Sequence, residues 1–140
     1  MMSNTIFRVV LLGASLGFTV PVFAQDMPPT QTSNGVTFVT GGIGQSRIEA
    51  FRKAAKDYNL RATFTAPGGA FMADVKVTLK DAKGNTLVTT VSGPLFYAQV
   101  PPGRYELIAA YGDQRFQRKL EVSQSGAATT EIVFKVPVGQ

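Results

Sequence analysis

The 140-residue chain contains no cysteine, no histidine and no tryptophan. The absence of cysteine excludes disulfides, thiol nucleophiles and a lipid anchor on cysteine. The absence of histidine excludes Ser–His–Asp and Cys–His catalytic arrangements, and the absence of both residues excludes the usual zinc sites. Acid–base chemistry would depend on paired carboxylates, and the nine Asp and Glu residues are scattered singly along the chain. We therefore predict a protein without catalytic activity, cofactor or metal, and a small carboxylate-dependent hydrolase is the least favoured alternative.

The charge balance is mildly basic, with 14 Lys and Arg against 9 Asp and Glu and a formal net charge of +5. The basic residues form no long run, and no nucleic-acid-binding motif is present. We expect no nucleic-acid partner.

The first 24 residues have the order typical of a secretory signal peptide. Arg8 is followed by an apolar run over residues 9–18, and Ala24 is the small residue before the expected cleavage site. A membrane-spanning helix needs roughly 20 apolar residues, so this run is too short to be an anchor. The sequence predicts export with cleavage after Ala24, no transmembrane span in the mature chain and a periplasmic location, with secretion as the alternative.

Two different patterns follow the signal peptide. Residues 25–35 are polar with two prolines and predict a flexible leader, and residues 36–140 predict a single domain. Ser46 and Glu49 have the spacing of a capping box and predict one amphipathic helix over about residues 46–58. Its apolar positions are Ile48, Phe51, Ala54, Ala55 and Tyr58.

From Leu60 onward the apolar residues alternate with polar ones. Turn residues interrupt this alternation at residues 67–69, 81–85, 92–94, 101–103, 112–113 and 123–128. Such spacing predicts seven strands after the helix and one before it, over residues 36–40. The expected fold is mainly β, a seven- to eight-stranded antiparallel β-sandwich with one N-terminal amphipathic helix.

Two segments of the sandwich have turn sequences of a recognisable kind. Residues 75–85, VKVTLKDAKGN, are a strand ending in a D-x-x-G turn, and residues 101–107, PPGRYEL, are a P-G-x-Y turn and strand. Together they resemble the carboxypeptidase regulatory-like domain, a member of the transthyretin-like (prealbumin-like) group of sandwiches. The resemblance implies a transthyretin-like fold and leaves the function open, because this fold has many roles. The family does not explain the helix.

Related families also contain chemistry that this chain does not inherit. The similar hydrolase of 5-hydroxyisourate relies on histidines, which are absent here. A related group of surface domains has a lysine–asparagine isopeptide bond, but residues 129–136 contain neither Asn nor Asp.

Three residues are candidates for partner binding: Arg118, Tyr97 and Arg61. Arg118 has the same strand phase as Phe116 and Leu120, and a buried unpaired arginine is costly. Either a β-bulge or strand edge turns Arg118 outward, or it lies in a binding groove. Tyr97 and Arg61 have the phase opposite to the core residues of their strands.

Tyr97, Val88, Ile108 and Val133 share this opposite phase and predict a second apolar surface. We expect the helix to cover it through Ile48, Phe51, Ala55 and Tyr58, and the alternative is a partner-binding patch.

The glycine-rich segment 41–44 between strand and helix predicts a flexible turn rather than a phosphate site, because Arg47 replaces the last glycine of a dinucleotide motif. The leading functional hypothesis is a non-catalytic periplasmic or envelope module that binds a protein or envelope polymer through a sheet edge or loop surface. A structural spacer in an envelope assembly is the alternative.

Overall fold

The segments in which apolar and polar residues alternate form two β-sheets. The computed structural model describes residues 27–135. The predicted signal peptide, its expected cleavage site and Val136 lie outside the described residues. Nine strands are present in this part of the chain: β1 (Gln31–Ser33), β2 (Val36–Gly41), β3 (Leu60–Thr65), β4 (Val75–Asp81), β5 (Thr86–Ser92), β6 (Leu95–Gln99), β7 (Gly103–Tyr111), β8 (Gln114–Val122) and β9 (Ala128–Val133).

The strands divide into a five-stranded sheet A, in the order β1-β2-β6-β3-β9, and a four-stranded sheet B, in the order β5-β4-β7-β8. Neighbouring strands are antiparallel except for β3 and β9, which are parallel. The predicted mainly-β sandwich is confirmed, but the expectation of a wholly antiparallel arrangement is wrong. Alternation determines which side chains share a face, whereas strand direction depends on how the chain crosses between sheets.

The inner faces of the two sheets form the main core. The ring of Phe134 contacts both sheets, with its centroid 5.1 Å from that of Phe116 on sheet B and 6.4 Å from that of Phe64 on sheet A. Other fully buried members come from both sheets and include Leu60, Ala62, Val75, Val77, Leu79, Phe96, Leu107 and Ile132. These buried residues are the apolar members of the segments in which apolar and polar residues alternate.

Strand β1 lies inside the segment predicted to be a flexible leader. It forms a hairpin with β2 through Asn34 and Gly35, whose φ angles are 48° and 80°. Ser33 Oγ donates to the carbonyl of Leu87 over 2.8 Å, and Asn34 Nδ2 donates to the same oxygen over 3.1 Å. The structure thus differs from the leader prediction over these residues, because hydrogen bonds rather than apolar burial hold the hairpin in place.

The helix α1 runs over Gln45–Ala54 and continues as a 3-10 turn over Ala55–Asp57. Its N-cap is Gly44, without a side-chain cap, and the amide of Ile48 donates to the Gly44 carbonyl over 3.1 Å. The predicted Ser46–Glu49 capping box is wrong, because Ser46 already lies within the first turn. Basic residues in the last turn stabilise the opposite end through the helix dipole.

Candidate binding surfaces

Helix α1 packs on the outer face of sheet A, against strands β2 and β6. Phe51 and Tyr58 pack on Val39, Leu95 and Tyr97 in a second apolar cluster. The rings of Phe51 and Tyr97 meet edge to face with centroids 5.2 Å apart. The expected contact of the helix with Tyr97 is confirmed for Phe51 and Tyr58, and Ala55 is partly buried against the same cluster.

The remaining residues assigned to this second surface lie elsewhere. Val88 belongs to the main core, because a bulge leaves Leu87 unpaired and brings Val88 opposite the core residue Leu79. Ile108 lies on sheet B and opposes Thr78. Val133 is 47% exposed. Ile48 is half-buried and outside the cluster.

Tyr97 and Arg61 are direct cross-strand neighbours on the outer face of sheet A. Arg61 Nε donates to the carbonyl of Tyr58 over 3.0 Å, which ties β3 to the chain leaving the helix. Burial raises the pKa of the Tyr97 hydroxyl, and the positive charges of Arg61 and Arg52 oppose the rise. Tyr97 is only 7% exposed, so its ring serves the packing of the helix rather than an open surface.

Arg118 lies in a different place, on β8 at the edge of sheet B. It is half-buried opposite Leu107, its guanidinium carbon is 5.6 Å from the centroid of the Phe116 ring, and its Nη1 donates to the Gln117 carbonyl over 3.3 Å. The register of β8 with β7 has no shift at this position, so the strand edge and not a bulge gives Arg118 access to solvent. The three predicted residues therefore do not form one site.

Three of the four edge strands have features that prevent pairing with another chain. Strand β1 has only three residues. Strand β8 presents Arg115, Lys119 and Glu121 outward, and Arg118 adds an inward-directed charge. Strand β9 is joined to β8 at its end, because the amide of Lys135 donates to Gln114 Oε1 over 2.8 Å and Gln114 Nε2 donates to the Lys135 carbonyl.

Strand β5 is protected only at its start, where side chains of the β1–β2 hairpin bond to Thr86 and Leu87. Its sequence, TLVTTVS, contains no charged residue, no proline and no glycine. Since the Leu87 carbonyl accepts from the β1–β2 hairpin, it faces away from β4. Backbone directions alternate along a strand, so Thr89 and Val91 also direct their N–H and C=O groups to the open edge. Both are exposed, Val91 by 57%.

One basic residue, Lys76, lies next to this edge on the outer face of sheet B. The register forms a row of Val91, Lys76, Ala110 and Arg115 across the four strands, and it contains no carboxylate.

The two carboxylates of this face are each cross-strand neighbours of cations other than Lys76. Glu106 lies between Lys80 and Lys119, and Arg104 is opposite Glu121. Lys76 is therefore the cation nearest the open edge that has no acidic cross-strand neighbour.

A shallow cleft of about 560 Å³ lies at one end of sheet B, where the two recognisable turn segments meet. Asp81 opposes Tyr105, whose hydroxyl donates to the Pro101 carbonyl over 2.6 Å. Asp81 Oδ1 accepts from the amides of Asn85 and Lys83, each over 2.9 Å, and these bonds, with Asn85 the largest cause, lower its pKa. An ionised carboxylate engaged by its own turn is poorly suited to act as a general acid. We interpret the cleft as a consequence of the turns.

Residues 27–135 contain neither a metal-binding cluster nor a membrane-spanning helix. In this part of the chain no three Asp or Glu residues come together as a metal site would require. No helix of the described residues has the length and apolar character needed to cross a bilayer.

Comparison with known proteins gives no family for this chain: no protein-family model matches it, and no curated protein matches it either. The likeness to the carboxypeptidase regulatory-like domain thus rests on the two turn segments alone.

Proposed function

We propose that the protein is a non-catalytic binding or adaptor module that holds an extended segment of a partner protein along the edge of β5. The single observation behind this proposal is the contrast among the four edges of the sandwich. Three are short, charged or joined to a neighbour along the strand, whereas β5 is uncharged and leaves Thr89 and Val91 exposed at its edge.

The binding mode is addition of a strand to sheet B. The N–H and C=O groups of Thr89 and Val91 supply main-chain hydrogen bonds, and the side chains on the outer face distinguish one segment from another. The binding surface extends only over the second half of β5, because the β1–β2 hairpin occupies the carbonyls of Thr86 and Leu87.

We also propose that the protein acts in the periplasm or envelope and that its sandwich is of transthyretin-like type. The order of charge, apolar run and small residue over residues 1–24 supports export. Support for the fold type comes from the D-x-x-G and P-G-x-Y turns, which meet where Asp81 opposes Tyr105.

Proline substitution at the open edge tests the binding mode. In Thr89→Pro the lost N–H faces solvent, so the ladder with β4 is kept while the docking edge is blocked. Gln117→Pro is the matched control: it opposes Ile108, and by the same alternation its N–H faces the open edge of β8.

The probe is a blocked peptide of alternating valine and threonine, titrated into isotope-labelled protein and followed by amide chemical shifts. We expect shifts around Thr89 and Val91 that disappear in Thr89→Pro and persist in Gln117→Pro, with both variants folded by circular dichroism. If the peptide leaves the β5 amides unchanged in the parent protein, edge binding is wrong and the spacer role is favoured.

A further inference from the structure

The charges beside β5 indicate which kind of segment it binds. We propose that the partner segment is acidic and that its outward-facing carboxylates pair with Lys76. This proposal rests on the proposed function, because it specifies the chemistry of the strand that β5 would hold.

The position of Lys76 follows from the register. Lys76 and Val91 are cross-strand neighbours, so a side chain opposite Val91 on an added strand falls in the same row. Adjacent strands lie about 4.8 Å apart. The backbone of Lys76 and that of the residue opposite Val91 on the added strand are two strand spacings, roughly 10 Å, apart. Valine is short and uncharged and lies between them, so the lysine and a glutamate can extend towards each other over it.

The other charges do not satisfy Lys76. Its second cross-strand neighbour is Ala110, and the carboxylates of this face lie further along β7 and β8. Asp74 precedes the strand, with a positive φ of 60°, and it is not part of this row because the row runs across the strands. An acidic partner would therefore supply the missing carboxylate.

A second copy of the chain does not fit the same edge. The outer face of sheet B contains five cations, Lys76, Lys80, Arg104, Arg115 and Lys119, against two carboxylates, Glu106 and Glu121. Pairing β5 with β5 of another copy would place two such faces side by side without adding a carboxylate near Lys76. Like charges on adjoining strands are unfavourable.

Two blocked peptides test the inference: one alternates valine with glutamate and the other alternates valine with lysine. Affinities are measured at low salt by fluorescence anisotropy of end-labelled peptides. Exposed ion pairs are weak, so we expect the acidic peptide to bind about three- to ten-fold more tightly, with the difference shrinking as salt is added.

Lys76→Glu is expected to remove or reverse this preference. Lys53→Glu is the matched control, because it makes the same charge change at an exposed position on α1, over the other sheet. A preference that Lys76→Glu and Lys53→Glu alter equally would overturn the role of Lys76.

Equal binding of the two peptides to the parent protein would leave edge binding in place and overturn the acidic partner. If neither these peptides nor the valine–threonine peptide binds, the edge proposal fails and the acidic partner fails with it.

Discussion

Replacement of Phe51 by alanine tests how strongly the helix is held on sheet A. Phe51 is fully buried, and no other residue of α1 is buried. Truncation of a buried phenylalanine to alanine costs about 3–5 kcal/mol when the cavity cannot collapse. A ten-residue helix is marginal by itself, so partial detachment of α1 limits the loss. We therefore expect Phe51→Ala to lower the free energy of unfolding by about 3 kcal/mol.

The chain contains no tryptophan, so urea unfolding is best followed by tyrosine fluorescence. Tyr58 and Tyr97 both belong to the affected cluster, and exposure of that cluster should also increase the binding of a hydrophobic dye. The matched control is Ile43→Ala, since Ile43 is 63% exposed and should lose less than about 0.5 kcal/mol. A loss below about 1 kcal/mol in Phe51→Ala would refute the packing argument.

Two further predictions concern the connections between strands. Gly93→Ala should destabilise the fold by about 1–3 kcal/mol in urea unfolding, because the new Cβ would lie 2.8 Å from the backbone oxygen of Gly41; an unchanged midpoint would show that the close approach is not rigid. The lowered pKa of Asp81 means that its contribution to stability is present above its unfolded value of 3.8 and is lost as the pH falls through the lower folded value. Asp81→Asn should thus make thermal stability less dependent on pH below about 4, whereas an unaltered acid profile would contradict the role assigned to the turn hydrogen bonds.

Much of the sandwich follows from local alternation. The core rows of β3, β4 and β7 are visible because one face of each strand is apolar, and Gly112-Asp113 forms the predicted hairpin turn between Tyr111 and Gln114. Strand β1 could not be found in this way, because its residues are polar and it is held by side chains that bond to β5. The predicted phase of Val88 is wrong because a bulge shifts the register, and a bulge leaves no mark in a run of threonine, leucine and valine.

The candidate site depends on strand order, which alternation does not determine. The sequence marks residues 86–92 as uncharged, but only the arrangement of sheet B makes this strand an edge. Arg118 is visible in the sequence as a charge that interrupts an apolar phase, and its place on an edge strand explains why the charge is tolerated there. Tyr97 and Arg61 become neighbours only through the pairing of β3 with β6, and the helix covers most of the tyrosine.

Amide hydrogen exchange at Thr89, Thr90 and Val91 tests edge binding most directly. In the free protein we expect rapid exchange at Thr89 and Val91, whose amides face the open edge, and slow exchange at Thr90, which faces β4. Saturation with the valine–glutamate peptide should slow exchange at Thr89 and Val91 and leave Thr90 unchanged. Protection of Thr89 and Val91 in the free protein, or rapid exchange that persists at saturation, would contradict the account.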